Sequence, residues 1–214
     1  VRLEAGLDLE AYFSDATCVK AAIHFPVDWV LLRDGVRTLM KAIRVIRRHG
    51  LKHRMPEPET FLRQINRLSM AMTHSRRSAD SKKKRKQVLR QMKRLNGIVL
   101  KHARRYRQEL AEGGEAGTDL KEGQVRQILK RLDGVVEQMP RAIRQAHERI
   151  IGERKVKNAD KVLSLYERDI HVIVRGKADA EVEFGNTLWL GEQADGLILD
   201  WELRKEQSPG DTKL

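Results

Sequence analysis

Residues 81–110 read SKKKRKQVLRQMKRLNGIVLKHARRYRQEL, a stretch that combines a helical pattern with dense positive charge. Its apolar residues recur at three- and four-residue steps, which is the spacing of one face of an α-helix. They are Val88, Met92, Leu95, Val99, Ala103, Tyr106 and Leu110. The pattern begins earlier, at Phe61, and the Ser78–Ser81 region is predicted to break or bend it. The sequence therefore predicts a long amphipathic helix.

Two further helices are predicted on either side of this stretch. Residues 29–49 carry apolar side chains at helical spacing, and Gly50 is the predicted C-cap. After the glycine-rich turn at 113–117, the apolar residues between Val125 and Ile150 fall on a nearly seven-residue repeat. We therefore expect the two long helices to pack as an antiparallel coiled-coil hairpin.

Toward both ends of the chain the apolar pattern changes to the two-residue alternation of β-strands. Strands are predicted at residues 9–18, 162–166, 181–190 and 197–203. Asp195-Gly196 predicts a tight hairpin turn between the last two strands. Strands this far apart in sequence must share a sheet to bury their apolar faces. The predicted fold is therefore α+β, with a first core strand in residues 1–27, a helical insertion at 28–158 and the remaining core strands at 159–214.

Positive charge is concentrated in one segment. The 214 residues carry 43 Lys and Arg against 30 Asp and Glu, a net charge of +13. Between Arg76 and Arg107 there are 14 Lys and Arg against one acid, Asp80, so this segment alone carries 14 − 1 = +13. A basic segment inside a nearly neutral remainder indicates a polyanionic partner, most often nucleic acid. The alternative is a solvated helix face without a partner.

The cations of this segment are the candidate DNA-binding residues. Long cationic side chains neutralise phosphates without identifying bases. Aromatic residues are nearly absent between them, which argues against a stacking platform for single strands and favours double-stranded DNA. The candidates are Arg76, Arg77, Lys82, Lys83, Lys84, Arg85, Lys86, Arg90, Lys93, Arg94, Arg104 and Arg105.

Several other classes of protein do not fit the composition. The single cysteine, Cys18, rules out an intrachain disulfide. There is no apolar run of the roughly 20 residues that a membrane span requires, and no signal-peptide pattern. The seven histidines show no paired ligand spacing, which argues against a zinc site.

Asp15 is the acid of most interest. It lies in a predicted strand where alternation places Phe13, Asp15 and Thr17 on one face. A carboxylate on a rigid strand is suited to holding a divalent cation at fixed geometry. The alternative is an acid at a strand end, exposed or hydrogen-bonded to a nearby backbone amide.

Asp15-Ala16-Thr17, followed by the Ile-His-Phe-Pro-Val-Asp stretch at residues 23–28, resembles a motif of bacterial insertion-sequence transposases of the DDE type. In that family an Asp-x-Thr lies on the first strand of an RNase H-like core. Glu183-Phe184-Gly185 and residues 195–201 are similar to the next two strands of that core. The similarity spans most of the chain, with specific motifs at both ends and general helical character between them.

The resemblance implies cleavage and transfer of DNA strands by two Mg²⁺ or Mn²⁺ ions held by three carboxylates. Asp15 is the catalytic and metal-binding position that the motif matches. Glu183 and Asp200 are interpreted as strand-end acids, and Asp211 is not interpreted as the second ligand. The expectation is a truncated transposase that retains DNA binding, has an incomplete catalytic site and cleaves no DNA by itself.

The same resemblance implies further partners and a location. The helical hairpin would grip duplex DNA or help to join copies of the chain in a synaptic complex. The expected location is the cytoplasm of a bacterial cell, at the nucleoid, with no membrane partner. The alternative functions are a non-catalytic DNA-binding or architectural protein built on the basic hairpin, and an RNA-binding protein, because charge does not separate the two nucleic acids.

Overall fold

The computed structural model describes residues 12–75, 80–113, 117–174, 181–194 and 196–205. The chain divides into two compact units, which are residues 25–166 and residues 1–24 together with 167–214. The first, here the helical unit, holds all the long helices, and the second, here the sheet unit, holds the strands. The predicted α+β class is confirmed. The unit boundaries lie at residues 24/25 and 166/167, against the predicted 27/28 and 158/159.

The helical unit contains four long helices. They are α1 (Asp28–Arg48), α2 (Pro58–Ser75), α3 (Ser81–Gly113) and α4 (Glu122–Ala146). The break or bend predicted at Ser78–Ser81 falls between α2 and α3. Residues 76–79 lie outside the described part of the chain. A π-helical turn at His147–Ile151 follows α4 directly. Gly50, the predicted C-cap glycine, has a φ of 109°, which favours glycine where α1 ends.

The core of the helical unit is shared by all four helices. On α1, the residues Leu32, Val36, Leu39, Ile43 and Ile46 are fully buried. Helix α1 contacts α2, α3 and α4, and α3 contacts α2 and α4. Helices α3 and α4 therefore pack on each other as predicted, but α1 packs against both. Their apolar residues serve a four-helix core instead of a two-helix coiled-coil seam.

The predicted strand at residues 162–166 is wrong. Val162, Leu163 and Leu165 are buried, and the segment forms no ladder within the described part of the chain. The backbone N–H of Val162 donates to the side-chain oxygen of Gln145 at 2.7 Å. The segment packs against the helices, and this packing accounts for its apolar residues. Their spacing also fits the two-residue alternation of a strand, which is why a strand was predicted.

The sheet unit is a four-stranded antiparallel sheet. Its strands are β1 (Tyr12–Lys20), β2 (His171–Val174), β3 (Val182–Gln193) and β4 (Ile198–Arg204). Strand β3 is central: β1 pairs with one of its edges, and β2 and β4 pair with the other. The predicted strand at residues 9–18 is observed from Tyr12, and residues 9–11 lie outside the described part. Strand β2 was not predicted.

The predicted hairpin between the last two strands is observed as β3 and β4. Gly196 has a φ of 83°, and its N–H donates to the carbonyl oxygen of Gln193 at 2.9 Å. A left-handed residue at this place explains the glycine. Asp195, the other residue of the predicted turn, lies outside the described residues.

Candidate nucleic-acid interface

Helix α3 carries twelve Lys and Arg and two acids, Glu109 and Glu112. Its buried face is formed by Leu89, Met92, Leu95, Asn96, Val99, Leu100, Ala103, Tyr106 and Leu110. Because α3 uses this face against the other helices, the cations occupy its flanks and its outward side. The structure separates these cations into two groups by what their side chains contact.

The first group lies on the flank of α3 that faces α4 and the segment after it. Lys86 is 2.6 Å from Glu153, and Lys82 is 3.5 Å from the same carboxylate. Arg107 forms a bidentate ion pair with Asp133, in which Nε donates to Oδ1 at 2.8 Å and Nη2 donates to Oδ2 at 3.2 Å. The hydrogen bond from Lys86, together with the charge of Lys82, lowers the pKa of Glu153. These cations are partly neutralised within the unit.

Three more cations of α3 contact neighbouring side chains. The guanidinium of Arg85 stacks 5.5 Å from the ring centroid of Trp29, which is a cation–π geometry. The ammonium of Lys93 lies 2.9 Å from Nδ1 of His147. Arg105 pairs with Glu109 one turn along the helix, at 2.9 Å. The sequence alone does not distinguish Arg85 and Lys93 from the other cations of α3, because the residues that they contact, Trp29 and His147, are distant in sequence.

The second group faces outward and is here called the outer stripe, defined as Lys83, Arg90, Arg94 and Lys101. All four side chains are exposed. Within the described part of the chain, no carboxylate lies within 4 Å of any of them. Lys84 and Arg104 are also exposed and flank the stripe. Lys101 is not one of the twelve predicted candidates, although the sequence already places it among the cations that continue along the outside of the helix.

The outer stripe is long enough to follow a duplex backbone. At a rise of about 1.5 Å per residue, Lys83 and Lys101 lie about 27 Å apart along the helix axis. Duplex DNA carries one phosphate charge per roughly 1.7 Å of its axis. Because the strands wind around this axis, a straight row of cations of this length can contact those phosphates that lie on the side of the duplex facing it. Arg76 and Arg77, the other two predicted candidates, lie outside the described residues.

The first turn of α3 conflicts with the electrostatics of its own helix. The partial positive charge at a helix N-terminus favours acids, yet this turn contains no acid and begins a run of five cations at residues 82–86. Each cation placed there costs about 0.3–1 kcal/mol at low ionic strength. Lys82, Arg85 and Lys86 gain contacts within the unit, whereas Lys83 and Lys84 have no carboxylate within 4 Å among the described residues. An anionic partner at this end of α3 would offset the cost.

We therefore expect one substitution to change stability and duplex affinity in opposite directions. Changing Lys83 to glutamate should raise stability by about 0.5–1 kcal/mol, because an acid then faces the positive end of the helix. The melting temperature should rise by about 2 °C in a chain of this size. Duplex affinity should fall at the same time. Thermal unfolding and fluorescence anisotropy measure the two effects, and a loss of stability would contradict the dipole argument.

Asp15 lies on β1 opposite Leu190 of β3, and Leu190 in turn lies opposite Trp201 of β4. The Asp15 side chain is exposed, and one of its oxygens accepts the N–H of Ala16 at 2.8 Å. Trp201 is 66% exposed, so Asp15 belongs to an apolar face of the sheet that is open to solvent. Glu183 pairs with Lys20 at 3.0 Å, and one oxygen of Asp200 accepts the N–H of Trp201.

The described residues around Asp15 do not make up the donor set of a Mg²⁺ or Mn²⁺ site. A two-metal centre requires several carboxylates to converge. Among the residues that the structure describes, no three His, Cys, Asp or Glu side chains come together. Asp211 lies outside them. Asp15 therefore stays a predicted ligand.

The exposure of Asp15 predicts the behaviour of its alanine variant. Changing Asp15 to alanine should alter stability by less than about 0.5 kcal/mol, because the carboxylate is exposed and bonds only the adjacent amide. We also expect no cleavage of duplex DNA by either protein in the presence of Mg²⁺ or Mn²⁺. A supercoiled-plasmid nicking assay measures this. Nicking by the wild type that the alanine variant lacks would contradict the incomplete donor set.

Within the described residues, no helix is both long enough and apolar enough to cross a membrane. The chain was also compared with protein-family models, with curated proteins and with solved structures. None of the three comparisons gives a match.

Proposed function

We propose that this protein binds double-stranded DNA through the outer stripe of α3, by contacts to phosphates. The observation that carries this proposal is the separation of charge on α3. Its flank cations Lys82, Lys86 and Arg107 are matched by Glu153 and Asp133, whereas the outward row has no matching carboxylate among the described residues. A row of unmatched cations along one helix creates a local positive potential that attracts a polyanion.

The chemistry of the stripe favours a duplex over a single strand. Lysine and arginine side chains on an exposed helix neutralise phosphates, and they carry no sequence information unless they reach base edges. Single strands require aromatic side chains on which bases stack. On α3 the one aromatic residue, Tyr106, is fully buried. The proposed binding is therefore electrostatic and independent of sequence.

The salt dependence of binding tests this function. Each phosphate contact adds about 0.9 to the slope of log affinity against log salt concentration. Contact by the four stripe residues therefore predicts a slope of about −4. The measurement is anisotropy of a fluorescein-labelled random duplex between low and physiological salt. A DNA affinity that does not change with salt would sink the proposal, and tighter binding to a single strand of equal length would contradict the duplex preference.

The second candidate is a part of a DDE transposase with an RNase H-like core. The strands that carry the resembling motifs, β1, β3 and β4, pair in one antiparallel sheet although the helical unit separates them in sequence. Asp15 lies within β1, the strand where the resemblance expects it. This arrangement supports the candidate. The outer stripe would then hold DNA for strand cleavage and transfer, and further carboxylates would complete the catalytic site.

Sequencing the coding frame after Leu214 tests the second candidate. The resemblance expects an aspartate after a further strand and a glutamate on a later helix. If both follow, a longer chain that contains them should nick plasmid DNA with Mn²⁺, and the Asp15→Ala variant should not. A stop codon directly after Leu214 would favour the non-catalytic DNA-binding protein, for which the salt-dependence test stands independently.

A further inference from the structure

A groove runs between α1 and the N-terminal half of α4, within the helical unit. It has a volume of about 450 Å³, which lies in the range of sites that bind ligands or peptide side chains. Its apolar lining residues, here called the floor, are Ala42, Val45, Leu120 and Ile128. Ala42 and Leu120 are buried, whereas Val45 is 37% exposed and Ile128 is half-buried. Val45 and Ile128 are therefore the apolar side chains that the groove leaves open.

The rim of this α1–α4 groove is positively charged. Lys41 and Arg131 line it from opposite helices, and within the described part of the chain no carboxylate lies within 4 Å of either. Two more basic residues of the rim are paired. Arg44 lies 3.4 Å from Glu59, and Nδ1 of His49 lies 2.6 Å from Asp119. The groove therefore presents two unmatched cations above an apolar floor.

Two simpler occupants match this combination less well. The apolar floor gives phosphates no favourable contact, so a nucleic acid backbone would leave Val45 and Ile128 uncovered. A neutral apolar ligand would leave Lys41 and Arg131 without partners. An amphipathic helix with acidic residues beside its apolar stripe satisfies both surfaces at once, which is a recurrent mode of peptide recognition. Gln124 and Gln127, also on the groove wall, add hydrogen-bonding amides.

The length of the groove sets the size of its occupant. Lys41 and His49 both line it, and the eight-residue step between them spans about 12 Å along the axis of α1. An occupant helix of two to three turns covers this distance and places apolar residues at positions i, i+3 or i+4, and i+7 over the floor.

We propose that the α1–α4 groove is a docking site for a short, acidic, amphipathic helix of a protein partner. The site is formed by helices other than α3, and none of its lining residues belongs to the outer stripe. The proposal does not depend on the DNA-binding function. It identifies the chemistry of the partner, an apolar stripe flanked by carboxylates, from the surface that would receive it.

A designed peptide tests this proposal with the whole chain. The probe is a fluorescein-labelled three-turn helix with leucine on one face and glutamate on the other. Its comparators are a scrambled peptide of the same composition and a peptide with lysine in place of glutamate. We expect the probe to bind at least about tenfold more tightly than either comparator by anisotropy. Equal binding of the scrambled peptide would overturn the proposal, because composition alone would then explain it.

Charge reversal localises the binding. The double variant Lys41→Glu, Arg131→Glu should weaken the probe at least about tenfold. The matched control, Arg63→Glu with Arg67→Glu, reverses two exposed cations of α2 outside the groove and should leave probe affinity within about twofold. Thermal unfolding shows whether each variant folds. Unchanged probe affinity in the folded groove variant overturns the proposal.

A competition experiment separates a peptide site from a second nucleic-acid surface. Unlabelled duplex DNA should leave the bound probe in place, because the groove and the outer stripe lie on different helices. Displacement of the probe by the duplex, together with a loss of DNA affinity in the groove variant, would overturn the proposal in favour of nucleic acid. The salt dependence of DNA binding and the outer-stripe variant would still test α3 by themselves, so the two proposals can fail separately.

Discussion

Neutralising the outer stripe with glutamine at all four positions is expected to weaken duplex binding on the order of 100-fold at moderate salt. Four phosphate contacts contribute about 0.9 each to the salt slope, and losing them should reduce the slope to near zero. Glutamine keeps most of the length of the side chains and removes the charge, so the fold of α3 should persist. Anisotropy titrations of a labelled duplex at several salt concentrations measure both quantities.

A matched variant shows whether position or total charge causes the loss. Arg37, Arg48, Arg63 and Arg67 are exposed cations of α1 and α2, and no carboxylate lies within 4 Å of them among the described residues. Their replacement by glutamine removes the same charge from other helices. We expect a loss of affinity below about fivefold. Equal losses in the two variants would mean that net charge, and not the outward row of α3, determines binding.

The flank pairs provide a second comparison. Lys86 pairs with Glu153 and Arg107 pairs with Asp133, so their positive charge is partly neutralised inside the unit. Glu153 also has a φ of 53°, a left-handed conformation that is uncommon for a residue with a side chain. Its carboxylate nevertheless lies between Lys82 and Lys86, at 3.5 Å and 2.6 Å. These cations should contribute less to DNA binding than the stripe does.

The helices were predictable because their signals are local. The apolar face of α3 follows from residues spaced three and four apart, and the structure buries those residues as the spacing predicts. The β3–β4 hairpin was predictable for the same reason, since two alternating runs flank a turn that contains Gly196. Strand β2 has four residues, too few for an alternating pattern to distinguish it from a loop.

The partition of charge on α3 was not predictable, because it depends on contacts between distant residues. Lys93 and His147 are 54 residues apart in sequence, and Arg107 and Asp133 are 26 apart. The placement of α1 against both α3 and α4 also determines which cations face outward. A repeat of nearly seven residues fits a two-helix seam and a four-helix core equally, so the sequence did not separate these packings.

Changing Asp28 to alanine is expected to destabilise the helical unit by about 3 kcal/mol. Asp28 is 6% exposed, and one of its oxygens accepts hydrogen bonds from Gln145 and Arg149, both at 2.9 Å. Gln145 in turn donates to the carbonyl oxygen of Val162 and accepts its N–H. Removing one member of a buried charged network leaves its partners uncompensated, which costs about 3–5 kcal/mol when all are buried.

The expected cost lies at the lower end of that range because Arg149 is 40% exposed, so water can rehydrate its charge. In a chain of this length, 3 kcal/mol corresponds to a fall of about 6–12 °C in melting temperature. Differential scanning calorimetry measures it. Asp34 offers the control on the same helix, since it is partly exposed and pairs with its neighbour Arg33. Asp34→Ala should cost less than about 1 kcal/mol.

A double-mutant cycle assigns the cost of Asp28→Ala to its network. If the carboxylate acts through Arg149, then Arg149→Ala in the Asp28→Ala background should cost less than it does in the wild type. Asp28 also lies in the first turn of α1, where an acid is favoured by the helix dipole. That contribution is about 1 kcal/mol at most and is independent of Arg149. Additive effects of the two substitutions would therefore assign Asp28 to capping α1, and a coupling above about 1 kcal/mol would assign it to joining α1 to the end of α4.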